Sequence, residues 1–324
     1  MKQNLIGIDI GGTKCAVTYG INDNDIIEVV DKIKFDTTNM NDTVDNLLET
    51  TSVIMKKYGL YSGKLSAIGI SCGGPLDSKK GVIMSPPNLP GWDHVPIVDL
   101  FEERFGVSTA VQNDANACAL AEWKFGAGRG FNNVIFLTFG TGMGSGLILD
   151  GKLYAGTNDN AGEVGHIRLE KTGPVGYGKA GSFEGFCSGG GISQLARVRV
   201  LEKLQMGETV SFCNNMNEIN NLTAKTVAEA AEAGDMLAKE IFRECAHYLG
   251  KALSILIDVL NPEIIVMGSI YCRAQKLIEP EMQMVIDAET IIHSRRVCQI
   301  VPAGLGESIG DFAALSVAVN ALIP

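Results

Sequence analysis

Residues 6–20 read "IGIDIGGTKCAVTYG", and the fold turns on the residues after the two glycines. The apolar, β-prone run at residues 5–10 enters the turn as a buried strand would. After Gly11, Gly12, Thr13 and Lys14 come Cys15 to Tyr19, a second β-prone run, and then the turn residues 22–25. The order is strand, turn, strand. A P-loop needs GxxxxGK[ST] leading into a helix, and a dinucleotide fingerprint needs GxGxxG opening one. Neither context is present, so Lys14 is not a Walker lysine.

The same pattern returns more than a hundred residues later. Residues 133–139 form an apolar strand that runs into Gly140-Thr141-Gly142-Met143-Gly144, and residues 147–154 read as a strand, an Asp-Gly turn and a strand. Two strand–loop–strand units suggest two related lobes facing one cleft. Amide N–H groups on glycine turns approach an anion closely, and two such loops can clamp one polyphosphate. Elsewhere the spacing predicts helices at 42–58, 99–105, 117–125, 235–260 and 310–321, with strands at 67–71, 108–112 and 263–267. Alternating strands and helices indicate an α/β protein. On the long helix, Leu237, Ile241, Cys245, Tyr248, Ala252, Ile255 and Val259 follow 3/4 spacing and read as a core stripe.

Composition narrows the function classes. The 324 residues are 46% hydrophobic and carry a formal charge of −10 without a basic cluster, which disfavours nucleic acid as a partner. No uninterrupted apolar run reaches about 18 residues, so no membrane span is expected. A strand starting within five residues of Met1 leaves no room for a secretion signal. The eight cysteines are scattered with no CxxC pair and read as free thiols in a reducing cytoplasm.

Three clusters carry chemistry. Asn113-Asp114-Ala-Asn116 lies between a strand and a helix, at the edge where α/β sheets place ligands. Asp114 there is either a helix N-cap or a base that accepts a proton from an attacking hydroxyl, and the two phosphate loops favour the base. Glu163 and His166 in Gly162-Glu-Val-Gly-His166, with Glu184, put two carboxylates and an imidazole into one glycine-rich region. Asn88 is presented by the proline-fixed turn at residues 86–92. Carboxylates, amides and imidazole are the groups that read sugar hydroxyls.

Together, Asp9 to Lys14, Asn88 to Trp92, Asn113 to Ala117, Thr138 to Gly144, Gly162 to Ile167 and Pro262 to Gly268 resemble the ROK family of sugar kinases and repressors, in family order and over almost the whole chain. The resemblance implies the actin-like ATPase (ribonuclease H-like) fold, with two α/β lobes flanking a cleft. The small lobe would be 1–113 plus a C-terminal helix at 308–324, and the large lobe 114–307. It implies a glucokinase-like hexokinase that moves the γ-phosphate of ATP to a hexose, at the 6-hydroxyl. Asp114 then matches the catalytic base. Asn88, Asn113, Glu163, His166 and Glu184 match sugar contacts, with Gly73 and Gly74 bordering the sugar. Gly11, Gly12, Thr13, Lys14, Gly140, Thr141 and Gly142 match the phosphate loops, Asp9 lies where Mg²⁺ is managed, and Gly190 and Gly268 lie where the nucleoside is held. A homodimer or homotetramer is implied as well.

Two departures stand out. Many relatives carry CxCGxxGC before the second glutamate, and those cysteines with the Gly-His histidine bind a structural zinc. Here Val175, Tyr177 and Ser182 occupy the cysteine positions, so no structural zinc is expected and His166 should be held by hydrogen bonds alone. The triple glycine after the late strand is shortened to Gly268-Ser269-Ile270. ROK repressors carry a helix-turn-helix ahead of the Asp-Ile-Gly-Gly motif, where this sequence has eight residues. A silent sugar sensor would lose the base or a loop, and both are intact. A fructokinase remains an alternative among substrates, beside glucose, N-acetylhexosamines, mannose and allose.

Overall fold

The computed structural model describes residues 2–61 and 63–323. They form two compact units, 2–136 with 146–161 and 304–323, and 137–145 with 162–303. The end residues 1 and 324 of the expected small lobe lie outside the described residues.

The first unit is built on a sheet ordered β3–β2–β1–β4–β7. β1 (Gln3–Ile10), β2 (Lys14–Asp23) and β3 (Ile26–Asp36) make an antiparallel meander. β3 has no counterpart among the expected strands, because Glu28, Asp31, Lys32 and Lys34 break its apolar run. Helix α1 (Met40–Tyr58) leads to β4 (Leu65–Cys72), parallel to β1. A small hairpin, β5 (Leu76–Asp77) and β6 (Val82–Ile83), precedes α2 (Ile97–Phe105). Next, β7 (Thr109–Asn113) pairs parallel with β4 and runs straight into α3 (Asp114–Phe125).

A second sheet has the order β10–β9–β8–β13–β14. Its hairpin is β8 (Val134–Phe139) and β9 (Met143–Leu149), followed by β10 (Lys152–Leu153). The second unit continues with the hairpin β11 (Val175–Gly176) and β12 (Lys179–Ala180), then α4 (Phe183–Phe186), α5 (Gly189–Gln205), α6 (Ala224–Glu232) and α7 (Met236–Leu260). β13 (Ile264–Met267), α8 (Ile270–Glu289), α9 (Ile292–Val297) and β14 (Gln299–Pro302) complete it, and α10 (Ile309–Ala321) returns to the first unit. Within each sheet the chain order is third, second, first, fourth, fifth. The recurrence seen in the sequence is therefore a recurrence of topology.

On α7 the expected stripe needs correction. Ile255 and Val259 are 42% and 72% exposed, whereas Leu249, Leu253, Leu256 and Ile257 are buried. α8 packs tightly along this helix, and a Cβ on Gly250 would lie 2.7 Å from Val285, so the buried face is broader than one stripe and offset from it. Among the described residues no helix is long and apolar enough to cross a membrane.

Alternation along β1 and β4 sorts the side chains of the first unit. Ile6, Ile8 and Ile10 join Ile68, Ile70 and Cys72 in one core, while Leu5 and Ala67 face Leu315 and Ala318 of α10. On that second face Gly7 and Gly69 let the helix lie directly on the strands. A Cβ on Gly7 would be 2.9 Å from the Leu315 nitrogen, and one on Gly69 would overlap the backbone of Ala314 and Ala318.

The start of α10 is tied to α3 by one buried carboxylate. Glu122 is fully buried and accepts from the N–H groups of Ala127 (2.8 Å), Gly304 (3.0 Å) and Leu305 (2.9 Å). Removing this acceptor takes away the partner of three part-buried N–H groups at once. Glu122→Ala is expected to lower the unfolding free energy by about 3 kcal/mol or more, read from urea denaturation; a loss under about 1 kcal/mol would refute the clamp.

Candidate active site

Parallel pairing aligns three strand ends in the first unit. Asp9 lies beside Ser71, Ile10 beside Cys72, and Cys72 beside Asn113. The carboxyl edge of the sheet thus delivers Gly11, Gly73 and Asp114 side by side, where open α/β sheets bind ligands. The Gly-Gly-Thr-Lys segment is the expected turn, closed by the Gly11 N–H on the Lys14 carbonyl at 3.1 Å. Thr37 secures it from β3's end, its hydroxyl donating to the Gly11 carbonyl (2.6 Å) and its N–H to the Thr13 carbonyl (2.9 Å). A Cβ on Gly12 would stand 2.6 Å from the Asn88 carbonyl, and one on Gly73 would stand 3.4 Å from the Asn88 side-chain oxygen. Gly74 faces the Asn113 amide nitrogen at 3.0 Å in the same sense. Eight predicted residues, Asp9, Gly11, Gly12, Gly73, Gly74, Asn88, Asn113 and Asp114, therefore share one neighbourhood, with Thr13 and Lys14 exposed on the turn.

α3 begins three residues earlier than its sequence signal, and this decides the roles of the Asn-Asp pair. Asn113 is the N-cap, its side-chain oxygen accepting from the Ala115 N–H at 2.9 Å. Asp114 is the first helical residue, and its Oδ1 accepts from the same N–H at 2.8 Å. Burial pushes the Asp114 carboxyl above its ordinary value, against the lowering effect of that hydrogen bond. Asp9 is pushed up to about 6, chiefly by burial, with Asp114 and Asp311 adding to the rise and Lys32 and Lys34 opposing it.

In the second unit the predicted residues converge around another glycine turn. The Gly140 N–H donates to the Gly142 carbonyl (3.1 Å), closing the β8–β9 loop. The N–H groups of Gly189 and Gly190 at the start of α5 reach the carbonyls of Gly140 (2.8 Å) and Thr141 (3.3 Å). The Gly268 N–H donates to Leu137 (2.9 Å), and a Cβ on Gly140 would lie 3.6 Å from the Ser269 hydroxyl. Ser269 has φ +50°, so the shortened glycine run keeps a backbone that favours glycine.

Glu184 joins this loop to the turn that carries Glu163 and His166. Its Oε2 accepts from the Met143 N–H at 2.9 Å, and its Cβ lies 3.3 Å from where one on Gly165 would stand. Gly165 belongs to the 3-10 turn Val164–His166, whose ends are Glu163 and His166, both exposed. Three-residue spacing on such a turn puts these two side chains on one side.

Sequence reasoning missed three supporting groups. Thr37 and the Lys32–Asp311 ion pair beside Asp9 come from β3 and the first turn of α10, far away in sequence. Gln194 on α5 bonds Val175 through both ends of its amide. None sits in a motif, and only the β3 strand pattern could have flagged the lysine and the threonine.

Asp9 also predicts a pH effect on stability. The folded protein holds its proton more tightly than the unfolded chain, so the favourable contribution is complete below 3.8 and is lost as pH rises to about 6. Asp9→Asn is expected to stabilise the protein by about 1–2 kcal/mol above pH 7, a figure reduced for its partial exposure. Denaturation at pH 4 and pH 7.5 checks this: the gain should vanish at pH 4, and equal gains at both would contradict it.

Comparison with known proteins identifies the family. The ROK family model matches residues 5–320. A glucokinase of Halalkalibacterium halodurans is 33% identical over 293 residues, which cover 86% of this chain and 84% of that one. The Escherichia coli transcriptional regulator NagC is 30% identical over 272 residues, 82% of this chain and 64% of the longer regulator. The crystal structure of a ROK glucokinase from Streptomyces griseus with glucose and AMPPNP superposes with a TM-score of 0.73 at 30% identity, covering 98% of this chain and 99% of that one. With its fold that of the actin-like ATPases, the chain belongs to the ROK family.

Proposed function

We propose that this ROK protein is an ATP-dependent sugar kinase that transfers the terminal phosphoryl group of ATP to a hexose, at the 6-hydroxyl. The observation that carries the reading is the place of Asp114: a carboxylate open to solvent at the first residue of α3, on the carboxyl edge of the sheet beside the first glycine turn, with its basicity raised. A base so placed takes the proton of the sugar hydroxyl as the hydroxyl oxygen bonds to phosphorus and the bridging oxygen leaves with ADP.

The chain's other residues divide the remaining work. Asn88, Asn113, Glu163, His166 and Glu184 read the sugar hydroxyls, bordered by Gly73 and Gly74. The turns at Gly11, Gly12, Thr13 and Lys14 and at Gly140, Thr141 and Gly142 offer N–H groups to the phosphates, since glycine leaves the backbone bare. Gly190 and Gly268 border the nucleoside. Asp9 fits a Mg²⁺ ion: its half-buried carboxyl is held up by lost hydration and gains from positive charge. Bound with ATP, that ion neutralises charge on the phosphates. Because Glu163, His166 and Glu184 are all retained, a glucose-like hexose is the preferred acceptor, ahead of N-acetylhexosamines, mannose, allose and fructose.

Hexose-dependent ADP release over a panel of these sugars, with Mg²⁺ and ATP, tests the function. Turnover with glucose at least tenfold above the other sugars is expected; no release with any sugar refutes the kinase reading. Asp114→Asn is expected to lower kcat by about two to four powers of ten while sugar still binds, and an unchanged kcat would exclude Asp114 as the base.

A further inference from the structure

The hairpin β11–β12 lies against both halves of the proposed sugar-reading cluster, and Gln194 fastens β11 from outside as Arg168 does β12. Gln194, on α5, accepts from the Val175 N–H at 3.0 Å and donates to the Val175 carbonyl at 2.8 Å. Its amide thus pairs with β11 as a neighbouring strand residue would. On its other side β11 abuts α4: a Cβ on Gly176 would stand 2.6 Å from the Gly185 nitrogen and 2.8 Å from the Glu184 Cβ. From β12, the Lys179 ammonium donates to the His166 carbonyl at 2.7 Å, and the Arg168 guanidinium donates to the Ala180 carbonyl, also at 2.7 Å. At the hairpin tip Tyr177, 76% exposed, meets the His166 ring edge-on at 6.2 Å.

We infer that this hairpin, locked by Gln194, is a non-metal brace that sets His166 and Glu184 for sugar binding. The inference rests on the sugar-kinase reading and makes Gln194 and Lys179 positioning residues. Val175 and Tyr177 occupy two of the positions where zinc-binding relatives are expected to have cysteines, so hydrogen bonds here serve where a metal would. A two-residue ladder is too short to hold its own register, and α5, capped by Ser188 on the Gly191 N–H at 3.0 Å, supplies a rigid point of attachment. Loosening the lock acts most directly on His166, which Lys179 and Tyr177 both meet, while Glu184 stays anchored to the β8–β9 loop by the Met143 N–H.

Gln194→Met keeps the length of the side chain and removes both hydrogen bonds. It is expected to raise the hexose KM about tenfold, with the ATP KM within about twofold. Lys179→Met is expected to act in the same direction more weakly, with Lys179→Arg restoring the wild-type value; this pair carries the test should Gln194→Met not fold. An unchanged hexose KM, or hexose and ATP KM rising together, overturns the brace. The His166 imidazole NMR signal, identified among the four histidines by loss in His166→Asn, gives a readout without turnover. In sugar-free protein it should shift in Gln194→Met, and no shift overturns the inference. A shifted signal in a protein that releases no ADP with any hexose upholds the brace and removes the kinase reading.

Discussion

The contact on which the first unit depends is the direct seating of α10 on β1 and β4. Gly7 and Gly69 leave no side chain between helix and sheet, so backbone meets backbone across the strands. This closeness makes chain ends distant in sequence part of one layer, and the Glu122 carboxylate fixes where the returning segment starts. It also reaches the chemistry. The same face of β1 that carries Leu5 and Gly7 carries Asp9, and a Cβ on Gly310, in the first turn of α10, would lie 3.9 Å from the Asp9 carboxyl.

That packing sets the electrostatic character of the carboxyl edge. Asp9 loses hydration where α10 lies against its strand, and at Asp114, on an open helix start, lost hydration likewise outweighs the backbone hydrogen bond it accepts. Lys32 and Lys34 oppose the rise at Asp9 but do not cancel it, since Lys32 is engaged with Asp311. Two carboxyls raised in this way suit different tasks. One sits on a strand end beside the Gly11–Lys14 turn, the other at the start of a helix beside the strand end that leads to Gly73. Raised basicity at the second is what proton transfer asks for.

The second unit reaches its geometry by another route. There the functional groups sit on short pieces, a 3-10 turn, a one-turn helix and a two-residue hairpin, none of which is stable alone. They are held by contacts at glycine: Gly142, Gly165, Gly176 and Gly191 each border Glu184 or its helix. The glycine content of this region therefore reflects crowding. Gln194 and Lys179 supply the directional part of the restraint.

Much of this was legible in the sequence. The strand–turn–strand reading of Gly11 to Lys14, the repeat of that pattern at Gly140, and the placement of Asn113 and Asp114 at a strand–helix junction all depend on neighbours in the chain, and period and turn chemistry report neighbours. The family's motifs added the roles expected of Asn88, Glu163, His166 and Glu184, without their surroundings. What only the tertiary structure decided involves residues distant in sequence. It set which side of α7 is buried, made Asn113 rather than Asp114 the helix cap, put Lys32 and Asp311 beside Asp9, and gave Gln194 to Val175. Local propensity cannot report these, because each is set by the close packing of a surface that another part of the chain provides.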